Sequence, residues 1–146
     1  MVQKVLVIIP FPLNEEGVAN RRLQVQSTNI RSDLVFDYVP VRASSSSFMS
    51  DHDWILMDVG CFEAGINAEK DGYSGVVIDS TSDSGADALR SVLDIPVIAP
   101  GRTSCLYALT LGNSFGILAM DEVGVFSHQQ WIAARQLSQF CSAIEP

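Results

Sequence analysis

Apolar residues gather in five short runs along the chain, at 5–9, 34–39, 75–78, 95–99 and 115–120, with polar linker or helically spaced segments between them. Runs of this length bounded by turn formers are the pattern of strands buried on both faces, as in parallel sheets. The intervening segments 15–29, 51–70, 85–93, 103–111 and 127–140 predict helices. In the second of them Ile55, Val59, Phe62 and Ile66 recur at three- and four-residue intervals, predicting the face turned to the core, and Ser50 or Asp51 supplies the cap. Strands alternating with helices predict an α/β protein: a single doubly wound, mainly parallel five-stranded sheet of order 2-1-3-4-5 with helices on both faces.

The run 75–78 stops abruptly in Asp79-Ser80-Thr81-Ser82-Asp83-Ser84-Gly85. Open α/β sheets bind ligands in the crevice outside the carboxyl ends of their strands, so this junction marks a candidate site. Hydroxyls and backbone N–H groups ahead of a helix suit a ligand with oxygens to hold. Taken one at a time, Ser82, Asp83 or Ser84 also serves to cap the helix that follows. The other loops on the same edge are Pro10–Asn14, Ser44–Ser47 and Gly101–Ser104, and the switch point between the first and third strands favours the Pro10 and Ser80 loops. The serine run 44–47 reads as a flexible connection that is also placed to close over a ligand.

A length of 146 residues fits one domain, taken as 1–146. The 47% hydrophobic content implies strands buried on both faces or a surface covered by a partner, and so makes a homodimer the expected assembly. Seventeen acidic residues against nine basic ones give a net charge of −8, which repels nucleic acid. The one basic pair, Arg21-Arg22, reads as part of a solvated helix face. No segment is long enough to span a membrane, and Pro10 and Pro12 interrupt the only stretch resembling a signal peptide. Three cysteines without CxxC spacing, Cys61, Cys105 and Cys141, fit a reducing cytoplasm.

Phosphate-loop, dinucleotide and nucleophile-elbow motifs are missing, as is any His or Cys pair at metal-ligand spacing, so neither cofactor nor metal is expected. His52 and His128 stand alone and read as surface or capping residues. Asp79 occupies the place of a phospho-acceptor aspartate, but acidic residues after the first strand and a lysine after the fifth are absent, which argues against that reading. Cys105 lies near a helix start on the site's edge and reads as a packing residue, while Cys61 and Cys141 have no assigned role.

The segments Gly72-Tyr73-Ser74-Gly75-Val76-Val77-Ile78-Asp79-Ser80, Gly85-Ala86-Asp87-Ala88-Leu89-Arg90 and Leu93-Asp94-Ile95-Pro96-Val97-Ile98 together resemble the aspartate/glutamate/hydantoin racemase superfamily. The likeness runs on through Leu106–Leu111 and Gly112–Leu118 and includes Pro10 after the first strand. It implies a cofactor-independent isomerase built from two similar α/β domains, with a substrate carboxylate between them and one thiol on each side exchanging the α-proton. Ser80 stands where the first of those cysteines is expected, and a hydroxyl is far too weak an acid or base for that exchange near neutral pH. The resemblance implies Pro10, Asn14, Thr81, Ser82 and Thr103 as ligand-binding residues beside Ser80.

The expectation is therefore a half-length, racemase-like domain on a flavodoxin-like sheet that binds a small carboxylate, whether amino acid, dicarboxylate or hydantoin-type ligand. It is either catalytically degenerate or active as a homodimer that sets two Ser80 loops face to face. A non-catalytic interaction or ligand-sensing module on the same fold is the rival reading. A third is a fragment in which residues 115–146 open a second domain, against which the amphipathic ending Trp131, Ile132, Leu137 and Phe140 argues, since it is able to pack back on the first sheet.

Overall fold

The computed structural model describes residues 2–26, 31–45 and 50–146. Its elements in order are β1 (Gln3–Ile9), α1 (Glu15–Gln26), β2 (Leu34–Pro40), α2 (Asp51–Gly65), β3 (Gly75–Ile78), α3 (Ala86–Arg90), β4 (Val97–Ile98), α4 (Pro100–Leu111), β5 (Phe115–Leu118), α5 (Glu122–Ala134) and β6 (Cys141–Glu145). A single 3-10 turn, Ser138–Phe140, precedes β6. Residues 27–29 of the first expected helix and Ser46 and Ser47 of the serine loop lie outside the described residues.

β1 sits at the centre of a parallel sheet of order β2-β1-β3-β4, with Val5 opposite Phe36 on one side and Gly75 on the other. Strand alternation sends its side chains to two cores. Leu6 and Ile8 join Val76, Ile78, Cys61 and Leu89 beneath α2 and α3, whereas Val7 and Ile9 join Tyr38, with Val18 of α1 packed against them. Helices thus cover both faces, and the α/β class and the order of the first four strands are as the sequence predicts.

The fifth strand departs from the expected single sheet. β5 pairs in parallel with β6, a strand the sequence pattern did not suggest, in a separate two-stranded sheet. β4 offers only a two-residue ladder before Pro100 turns the chain into α4, so it gives a further strand little to pair with. α4 instead carries Cys105 into a third core with Phe115, Ile132 and Leu137, which ties β5, α5 and β6 together. Trp131, Ile132, Leu137 and Phe140 belong to this third core and its margin rather than to the first sheet.

The face of α2 is also other than expected. Of the four residues expected there, Phe62 packs against the core, but Ile55, Val59 and Ile66 are exposed, while Asp53, Met57, Cys61 and Gly65, spaced four apart, are buried. The reason is close approach: a Cβ on Gly65 would lie 2.8 Å from Ile8 Cδ1, so the helix meets the sheet along its slimmer residues. Ser50 is the N-cap, and its backbone N–H donates to Asp53 Oδ2 at 3.1 Å.

Candidate functional site

β3 delivers its carboxyl end to the junction 79–84, where neighbouring residues part company. The Asp79 N–H donates to the Ile8 carbonyl at 2.8 Å, extending the ladder, and its carboxylate meets Arg21 Nη1 at 3.4 Å with no hydrogen bond to the buried Oδ2. Burial pushes this carboxyl above its ordinary value, against the pull of Arg21. The next alternate residues form a file of hydroxyls: Ser80 Oγ to Ser82 Oγ at 2.8 Å, and Ser82 Oγ to Ser84 Oγ at 2.9 Å. The Ser82 N–H also donates to Ser80 Oγ at 3.2 Å, holding the loop in a tight local turn.

Asp83 fixes this loop against the next helix. At φ +59° it takes the left-handed backbone that aspartate tolerates better than most residues. Its buried carboxylate accepts from the N–H of Gly101 at 2.7 Å and of Arg102 at 2.8 Å. α4 is preceded by Ala99, which has no side-chain acceptor, so its exposed donors are capped from 18 residues away. Asp83 was one of the residues expected to cap the helix directly after it; it caps the following one. Burial raises its carboxyl pKa, while the two N–H groups and Arg135 oppose the shift.

Gly101 is where glycine is required. A Cβ there would lie 2.1 Å from the Thr81 carbonyl oxygen, 2.8 Å from the Trp131 ring and 2.9 Å from Asp83 Oδ1. From the other side, Trp131 Nε1 donates to the Ser82 carbonyl at 2.9 Å. Arg135 stacks on that indole at 4.3 Å and comes within 3.8 Å of Asp83 Oδ2. The hydroxyl loop is therefore gripped by α4 and α5 together.

Between the loop and α5 lies a cavity of about 380 Å³. It is lined by Phe11, by the Ser80-Thr81-Ser82 stretch, by Trp54 and Met57 of α2, and by residues of α5 and the turn before it, among them Met120, Asp121, His128 and Trp131. Most of this lining is apolar; its polar groups are the hydroxyls, Asp121 and His128. Among the described residues no lysine or arginine lines it. Asp121 is the N-cap of α5, accepting from the Gly124 N–H at 2.8 Å.

Ser80, Thr81 and Ser82 are thus brought together on one cavity. Pro10 is buried, Asn14 spends its Oδ1 on the Gly17 N–H at 2.9 Å at the start of α1, and Thr103 is exposed on the first turn of α4; none of the three lines the cavity. Ser45 hydrogen-bonds the buried Asp53 rather than reaching the cavity lining. Cys61 and Cys105 are buried outside the lining, and burial drives the Cys61 thiol to about 12 and the Cys105 thiol upward. Among the described residues no three His, Cys, Asp or Glu side chains gather as a metal site would need, and no helix is long and apolar enough to cross a membrane.

Phe11, Met57, Asp121, His128 and Trp131 are site residues that the sequence reading did not select. Asp121 carried a usable signal, since an Asp three residues before a glycine-containing helical start is a cap pattern.

A family model described as Asp/Glu/Hydantoin racemase matches residues 20–146. Among solved structures, an allantoin racemase from Klebsiella pneumoniae superposes with a TM-score of 0.82 at 20% identity, over 98% of this chain and 58% of that one. An allantoin racemase from Pseudomonas fluorescens gives 0.80 at 13% identity, over 98% and 60% respectively. The chain thus spans less than two thirds of the length of either structure. Comparison with curated protein sequences finds no match.

Proposed function

Because the chain belongs to the Asp/Glu/hydantoin racemase family, we propose that the cavity beside Ser80 binds a small, uncharged ring ligand of the hydantoin type. The observation that carries this is the lining: hydroxyls in a mostly apolar cavity, without lysine or arginine among the described residues. A dicarboxylate or an amino acid brings formal charges that such a lining leaves without partners, which is costly. A cyclic ureide alternates N–H donors and C=O acceptors without net charge, and the hydroxyls of Ser80, Thr81 and Ser82 serve either role. The volume lies within the range of small-molecule clefts. Of the three ligand classes the sequence suggests, the hydantoin type is the one this chemistry favours, and a carboxylate ligand would have to rely on hydroxyl and backbone donors alone.

In this reading Ser80 holds and orients the ring and does not exchange its proton. The chain acts without a cofactor, in a reducing cytoplasm where its three free thiols persist. Leu118, Met120 and Phe126, exposed on β5 and around the start of α5, support self-association as a homodimer.

Thermal unfolding in the presence of hydantoin, allantoin, aspartate and malate at millimolar concentration tests the reading. The ureides are expected to raise the melting temperature and the two acids to leave it unchanged. A shift with the acids alone would overturn the ligand class. No shift with any of them would favour a non-catalytic interaction module.

A further inference from the structure

His128 lines the same cavity as the hydroxyl loop, and its ring is oriented by the helix that carries it. Nδ1 lies 2.7 Å from the Gly124 carbonyl oxygen. A carbonyl only accepts, so Nδ1 carries the proton, and the lone pair of the neutral ring is left on Nε2. Among the described residues nothing hydrogen-bonds to Nε2. Gly124 is itself held by the Asp121 cap, so the anchor of the imidazole is part of the fixed start of α5.

The rest of the lining offers no competing base. Serine and threonine hydroxyls bind protons far too weakly, and a carboxylate, of which Asp121 is the one among the described lining residues, is as a class a weaker base than an imidazole; its Oδ1 already accepts from the Gly124 N–H. The cysteines lie outside the lining. Imidazole is the one group in the cavity whose basicity suits proton transfer near neutral pH.

We propose that His128, through Nε2, is the proton-accepting catalytic residue of this cavity, acting on the ring C–H beside a carbonyl of a hydantoin-type ligand. The inference rests on the ligand reading above. The C–H bond breaks and an N–H bond forms at Nε2, while the C–H electron pair moves into the adjacent carbonyl to give an enolate. A hydroxyl of the Ser80–Ser82 loop donates a hydrogen bond to the enolate oxygen. Return of the proton from the imidazolium restores the original hand; delivery from water on the opposite face inverts it, and the hydroxide so formed takes the proton from the imidazolium, giving back water and the neutral ring. No electron is gained or lost, and one base suffices where the resemblance implies two thiols.

Proton NMR of a 5-substituted hydantoin in D2O, with the full chain and with its His128→Gln and His128→Ala variants, decides the matter. The native chain is expected to speed loss of the ring C–H signal over buffer, and His128→Gln to slow that exchange by at least about 100-fold while keeping the thermal shift given by the hydantoin. Added imidazole is expected to restore exchange in His128→Ala. Should the variants fail to fold, the ¹⁵N resonance of His128 Nε2 in the native chain is expected to move on addition of the hydantoin, and an unmoved resonance despite a thermal shift counts against the proposal. Exchange in His128→Gln equal to the native rate, or a native chain that binds the hydantoin without accelerating exchange, overturns the base and leaves the ligand reading standing. Absence of both binding and exchange overturns the two together.

Discussion

Asp79 and Ser80 are bonded neighbours with opposite fates, one turned toward Arg21 and away from the cavity, the other lining it. The half-buried Asp79 carboxyl titrates above its unfolded value of ~3.9. A raised carboxyl binds its proton more tightly in the fold, so its ionisation lowers stability as pH rises through the window from the unfolded to the folded pKa. Asp79→Asn is therefore expected to raise the urea midpoint at pH 7. That gain should vanish as the pH falls below the unfolded value, and a constant gain at every pH would show that ionisation is not its source. At this scale the sequence was informative where chemistry is local. The end of an apolar run exposes Ser80, Thr81 and Ser82 by strand geometry alone. It was silent where partners are remote: Asp83 reaches donors 18 residues on, and Trp131 reaches a carbonyl 49 residues back.

The second helix shows how an element is legible in extent and start but not in orientation. Its apolar residues recur at helical spacing on more than one face, and the larger β-branched set, Ile55, Val59 and Ile66, looks outward. What decides the buried face is fit to the sheet, and the slim edge from Met57 through Cys61 to Gly65 allows the approach that a row of isoleucines prevents. Met57→Ala should cost about 2–5 kcal/mol in denaturant unfolding, as expected for a buried methionine, whereas Ile55→Ser should stay within about 0.5 kcal/mol. Equal losses would restore the face that periodicity suggested. The later helices start before their apolar period does, α4 at Pro100 and α5 at Glu122, because caps supplied by Asp83 and Asp121 set those ends.

Across the whole molecule, three cores divide the work. Two sandwich the four-stranded sheet and the third lies under β5 and β6. The first four strands could be read because each is an apolar run with a predictable neighbour. β6 could not, since Cys141-Ser142-Ala143-Ile144-Glu145 has no such run and becomes a strand only because β5 is there to pair with it. A two-stranded parallel ladder with Leu118 85% exposed has little burial to hold it. Hydrogen exchange is expected to be faster at the amides of 115–118 than at those of 6–9, and equal protection would mean that the two sheets open as one unit.

The Ser82 carbonyl is held by an indole from the other sheet's helix, and the cavity takes its walls from both sides of that bond. A guest lodged there would recognise the closed seam and not its separated halves, so the free energy of its binding and the cohesion of the two halves would be linked. Reciprocity would then make each a gauge of the other: a bound guest would tighten the joint, and any loosening of the joint would weaken the grip on the guest by the same factor.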